Sequence, residues 1–269
     1  MKMVEKEFYD RKEELNLLKG RYNNLKSGEM IVIYGRRRVG KTELIRQFLK
    51  SIPENKFYFY VDLTNKQGIL NSLSISIQEQ LKENLKFSEF DEFLKYIESK
   101  SEKDKFLLVI DEFQRFLDVS SEFITKLQNY WDSRLKNNKL MILLVGSSIG
   151  MIQKITNSKA GALYGRGTKI KISPFKYSDF RLMFKELNEE EKVLTYSVFG
   201  GTPYYLEKVK KVEGDILINN VWFDFSVKEL KEELTLNWDM AKRWDMANSK
   251  ILYDKGSSIK KLKSAKLII

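Results

Sequence analysis

Residues 29–46 read Glu-Met-Ile-Val-Ile-Tyr-Gly-Arg-Arg-Arg-Val-Gly-Lys-Thr-Glu-Leu-Ile-Arg. An apolar run at 30–34 stops at Gly35, G-x-x-x-x-G-K-T fills Gly35 to Thr42, and a helix-like stretch follows. This is a phosphate-binding loop in the context it requires, with a strand before it and a helix after it. A nucleotide triphosphate is a dense anion, so backbone N–H groups must converge on it. Gly35 and Gly40 let the chain curl with no Cβ in the way. The helix that follows presents free N–H groups and its positive dipole end. Lys41 can reach the β- and γ-phosphates, and the Thr42 hydroxyl can hold Mg²⁺. Gly35, Arg36, Arg37, Arg38, Val39, Gly40, Lys41 and Thr42 are therefore the predicted nucleotide-binding residues. The three loop arginines add charge near the nucleotide, or point outward to a partner.

The 269 residues suffice for one large domain, or one with a small appendage. A hydrophobic content of 42% supports a real core. Cysteine and histidine are both absent. That excludes disulfides, thiolate zinc sites, cysteine nucleophiles, Ser-His-Asp triads and imidazole ligands. Any metal must sit on oxygen ligands, which suits Mg²⁺. Residues 1–7 are charged and lack an apolar signal core, and no apolar run has the length of a bilayer span. A soluble, cytoplasmic chain with no membrane partner is the expectation. The formal net charge is +11. It points to nucleic acid or another polyanion, or more plainly to a lysine-rich solubilising surface, since the lysines are dispersed among glutamates.

Apolar periodicity predicts a helix over 8–26, broken at Ser27-Gly28, then strands at 30–34, 56–63, 105–110, 140–145 and 168–172. Helices are expected over 41–51, 69–85, 90–98 and 122–135, and they dominate from about 177. Strands alternating with helices imply an α/β fold, a parallel sheet flanked by helices in three layers. Such sheets bind ligands at the carboxyl ends of their strands. Thr202-Pro203 reads as a helix cap with proline at the first helical position. The six residues from Trp238 are echoed from Trp244, a repeat too short for a solenoid.

Residues 106–112 read Phe-Leu-Leu-Val-Ile-Asp-Glu. Two acids at an apolar strand's tip are costly unless they have partners or work there. Asp111 stands where P-loop NTPases hold Mg²⁺, and Glu112 is the candidate general base that polarises water. Gln114 and Arg115 follow, to position the γ-phosphate or merely to begin a turn. The fourth strand ends in Gly146-Ser147-Ser148. Ser147 is chosen as the γ-phosphate sensor, beside its plainer reading as a helix cap. Arg166 lies in a glycine-marked loop, where a mobile arginine can stabilise transition-state charge. Many loop arginines do no such work.

Together the stretches FYDRKEEL, YGRRRVGKTELI, LLVIDEFQRF, LLVGSSIGMI, LYGRGT with the later SPF, and VFGGTPYYL resemble the archaeal-type ATPase family, related to AAA+ and STAND proteins. They cover about 8–206 in the family's order. The resemblance implies an additional-strand, catalytic-glutamate core over 1–175 and a helical lid over 176–231. It also implies ATP rather than GTP, and Thr64-Asn65-Lys66-Gln67 indeed lacks the aspartate of a guanine-reading motif. Members often continue into winged-helix and nuclease-like domains. Residues 232–269 are accordingly expected to be a basic tail, the remnant of a shortened winged-helix region. The expected activity is Mg²⁺-dependent ATP hydrolysis coupled to conformational change, read by a protein partner or, alternatively, by DNA. A nucleotide-gated switch with little turnover and a P-loop small-molecule kinase are the rival readings. The sequence sets no oligomeric state.

Overall fold

The apolar runs become the strands of one parallel sheet. The computed structural model describes residues 11–52, 54–156, 161, 163–207, 209–212 and 215–217. Strands β1 (Glu29–Tyr34), β2 (Lys56–Tyr60), β3 (Phe106–Asp111), β4 (Leu140–Gly146) and β5 (Thr168–Lys171) lie in the order β2-β3-β4-β1-β5. Every neighbouring pair is parallel. β4 thus stands between β1 and β3, which is the additional strand that the resemblance implies. Tyr34 pairs with Gly146 and Ile110 with Leu144, so the chain leaves β1, β3 and β4 at one carboxyl edge.

Helices α1 (Lys12–Asn23), α2 (Lys41–Lys50), α3 (Lys66–Leu81), α4 (Phe90–Lys103), α5 (Phe116–Val119), α6 (Ser121–Ser133) and α7 (Ile149–Thr156) belong to the same unit, Arg11–Ser173. β3 and β4 are buried along their whole length, as strands covered on both faces must be. Even-numbered strand residues such as Val32, Leu108 and Ile142 pack with Phe57, Phe59, Phe90, Phe93 and Phe123. Odd-numbered ones such as Ile31, Ile33, Val109 and Leu143 are buried too, as are Leu18, Leu44, Ile45 and Phe48. Each such side chain contributes about 1.5–3 kcal/mol by leaving water. No helix among the described residues is long and apolar enough to cross a membrane.

Several boundaries differ from the sequence-based expectation. β2 ends at Tyr60, three residues early, because its partner β3 ends at Asp111 and the last contact is Val61 N–H on the Asp111 carbonyl, 3.0 Å. α3 begins at Lys66 because the Asn65 side chain caps it, accepting from Gly68 N–H at 2.8 Å. α4 runs on to Lys103.

From Pro174 onward a second unit holds α8 (Tyr177–Met183), α9 (Glu189–Phe199) and α10 (Pro203–Leu206), then a short antiparallel pair, β6 (Lys210–Val212) and β7 (Asp215–Leu217). This pair stands where helices were expected to dominate. Tyr177, Phe180, Phe184 and Tyr196 form the aromatic centre of this second unit. Pro203 takes the first helical position, but the Thr202 hydroxyl makes no capping bond. Phe175 N–H donates to Gly201 O at 2.7 Å, and a Cβ on Gly201 would lie 1.8 Å from Phe175 O. The expected tail at 232–269 and the repeat at Trp238 lie outside the described residues.

Candidate phosphate-binding site

The loop between β1 and α2 is shaped by two left-handed residues, Arg38 at φ 66° and Gly40 at φ 92°. Only glycine adopts the latter without strain. Val39 between them is buried and anchors the loop. Gly35 has a further role in the sheet: a Cβ there would lie 2.2 Å from Ile172 O. Its bareness lets β5 close against β1, where Ile172 N–H donates to Tyr34 O at 2.7 Å. Arg37 is exposed, while Arg36 and Arg38 are half-buried.

Lys41 opens α2 and is buried. Its Nζ folds over the loop and donates to Gly35 O at 2.9 Å and Arg36 O at 2.8 Å. Burial lowers its pKa from the ordinary lysine value, while the charges of Glu112 and Asp111 oppose that shift. An ammonium held by neutral carbonyls is solvated but not neutralised, which suits it to a polyanion.

Asp111 ends β3 and is only 2% exposed. Its Oδ2 accepts from Tyr58 Oη at 2.9 Å and Thr42 Oγ1 at 3.3 Å, and its Oδ1 from Glu112 N–H at 2.9 Å. Burial raises this carboxyl's pKa, and the Tyr58 and Glu112 hydrogen bonds oppose the rise. Burial and then Asp111 drive the Tyr58 phenol upward, so it stays a donor. Glu112 is itself left-handed, φ 54° and ψ 37°. Ser147 Oγ donates to Glu112 Oε2 at 2.9 Å, and the Gln114 amide donates to the same oxygen. Gln114 is buried against Gly146, whose Cβ would lie 2.5 Å from Gln114 Oε1.

Lys41, Thr42, Asp111, Glu112 and Ser147 thus come together at the carboxyl edge. Gln114 joins them, whereas Arg115 turns away, donating to Val61 O at 2.7 Å and lying 4.9 Å over the Tyr60 ring. Arg166 is not brought to the loop. Its guanidinium grips Asp132 with two bonds, 2.8 and 2.6 Å. It precedes β5, whose first residue pairs with Ile31, and a Cβ on neighbouring Gly167 would lie 2.9 Å from Met30 O. That is the amino edge of the sheet, about 20 Å along β1 from the phosphate loop. Sequence reasoning missed Tyr58. The signal was parity, since period two puts residues 58 and 60 on the face opposite Phe57 and Phe59.

The donor set fits Mg²⁺: a hydroxyl and a carboxylate already adjacent, both oxygen ligands. Among the described residues no group of three or more acidic ligands forms a dedicated cage.

Residues 8–209 match the model of a family described as an ATPase domain predominantly from Archaea. The chain belongs to this family. Within this archaeal ATPase family its relatives include an uncharacterized protein of Methanocaldococcus jannaschii, 34% identical over 209 residues. That match covers 76% of this chain and 44% of the relative, so the chain spans less than half of that protein's length. An uncharacterized ATP-binding protein of Pyrococcus abyssi is 25% identical over 246 residues, covering 76% of this chain and 72% of the relative. Among solved structures, a Walker-type ATPase of Pyrococcus abyssi superposes with a TM-score of 0.57 at 20% identity, over 97% of this chain and 77% of that one. The Aeropyrum pernix ORC2 protein gives 0.60 at 16% identity, over 100% and 89%. At these identities the two structures share the fold alone.

Proposed function

We propose that this chain binds Mg²⁺-ATP, hydrolyses it, and couples the nucleotide state to a conformational change read by a protein partner. The observation that carries the reading is the meeting of Lys41, the Thr42–Asp111 pair and the Glu112–Ser147 pair at one sheet edge. Lys41 exchanges the Gly35 and Arg36 carbonyls for phosphate oxygens, trading neutral acceptors for charged ones. Loop N–H groups and the α2 amino end bind the remaining phosphate charge. Thr42 and Asp111 would hold the metal, and Mg²⁺ would supply positive charge to offset that of the phosphates. Glu112 accepts the proton of the attacking water. Ser147, already on Glu112, orients that carboxylate and senses the γ-phosphate. The helical lid expected over 176–231 is, in this reading, the part whose conformation changes with the nucleotide.

One observation favours the nucleotide-gated switch as a second reading. Both Ser147 and the Gln114 amide donate to Glu112 Oε2, so one of the base's two oxygens is already engaged. The kinase reading is weaker, because a glutamate beside the metal aspartate activates water, which a kinase does not need. Equilibrium titration with a fluorescent ATP analogue tests the binding half. Lys41→Ala should lose affinity tenfold or more, about 1.4 kcal/mol at least. Unchanged affinity removes the loop from the site.

A further inference from the structure

We propose that the Tyr58 hydroxyl is a positioning group that fixes the Asp111 carboxylate for the metal, a role that rests on the reading of Thr42 and Asp111 as the Mg²⁺ holders. Tyr58 lies on β2, the edge strand next to β3. Its own backbone is pinned from outside the sheet. Gln80 Oε1 accepts from Tyr58 N–H at 3.0 Å, and Gln80 Nε2 donates to Tyr58 O at 2.8 Å, so one side-chain amide stands in for a neighbouring strand. With the strand so held, the ring leaves on the face away from Phe57 and Phe59. In register Tyr58 pairs with Val109, so the ring reaches diagonally to Asp111, two residues on. Tyr60 has the same parity and pairs with Asp111 directly, but it is 41% exposed and lies under Arg115.

The three donors on Asp111 are not equivalent. Glu112 N–H fixes Oδ1, and Thr42 and Tyr58 share Oδ2. Thr42 must offer its lone pair to the cation while its proton stays on Asp111. Tyr58 has no such second duty. It keeps a donor on Oδ2 whatever Thr42 does, and so holds the carboxylate plane before the metal arrives. Groups that orient a ligand in this way change metal affinity by about 10–100-fold when removed.

The test uses the full chain and measures affinity for a fluorescent, non-hydrolysable ATP analogue, once in MgCl₂ and once in EDTA. The ratio of the two is the gain due to the metal. Tyr58→Phe keeps the ring and removes only the donor. Its affinity in EDTA should equal wild type, and its metal gain should fall about tenfold or more. In an Asp111→Asn background, adding Tyr58→Phe should cost nothing further, because the group it positions is gone. A full metal gain in Tyr58→Phe overturns the proposal. So does an equal loss in MgCl₂ and EDTA, which would make the hydroxyl a general packing element. Wild type with no metal gain would remove the Thr42–Asp111 reading, and this proposal with it. Wild type with a gain that Tyr58→Phe retains would remove the proposal alone.

Discussion

Asp111 is a charge placed where the fold would rather have none, and the consequence is measurable. Burial holds its folded-state pKa above the ordinary carboxylate value. Below about pH 4 the group is protonated in both folded and unfolded chains and has no effect. As pH rises, the unfolded chain releases its proton first, so stability falls until the native carboxyl has ionised as well. Asp111→Asn should therefore unfold at a higher temperature than wild type near pH 7, with the difference shrinking toward pH 4. Thermal unfolding of both proteins at the two pH values checks this. An advantage that grows toward acid would contradict it. The residues of this site were readable where a motif marks them: Lys41 and Thr42 by the loop, Asp111 and Glu112 by two acids after an apolar run. Tyr58 carries no motif, since its partner is set by strand pairing. Arg166 looked mobile because nothing in its own stretch names Asp132, thirty-four residues earlier, as its partner.

At the scale of elements, the site depends on how closely β5 and the phosphate loop approach. Gly35→Ala would set a Cβ 2.2 Å from the Ile172 carbonyl, and both sides of that contact are backbone. Neither can rotate away, so the strand must shift, at a cost of about 1–3 kcal/mol. Urea denaturation should show a lower midpoint with an unchanged slope. The opposite edge depends on Gln80. Gln80→Leu removes two hydrogen bonds from β2, and about 0.5–1.5 kcal/mol for each sets the expected loss. It also bares the strand to other chains, so light scattering on storage should rise. The central strands were legible because burial on both faces makes unbroken apolar runs. α5 and α7 were not, being too short to show helical periodicity. β6 and β7, three residues each, carry too little alternation to read.

For the whole molecule the open quantity is what the nucleotide state controls. The net charge of +11 is spread along the chain, so a protein partner as the reader predicts only non-specific attraction to duplex DNA. Such binding should be weak at about 50 mM salt and lost at about 200 mM, because it is driven by counterion release, whose entropy gain shrinks as salt rises. Tight binding that persists at the higher salt would make DNA the partner instead. That the loop, the acid pair and Ser147 share one edge was legible, because each follows a strand of a parallel sheet. The order β2-β3-β4-β1-β5 was not, since strand tips at one edge are compatible with many orders and only the additional strand was implied by the resemblance. The central claim is that Glu112 is the base of a working ATPase. It is tested most directly by phosphate release from Mg²⁺-ATP, compared between wild type and Glu112→Gln at saturating nucleotide. The account predicts turnover by wild type and, in the variant, retained nucleotide binding with turnover slower by on the order of 10²-fold or more. Equal turnover in the two proteins would contradict it.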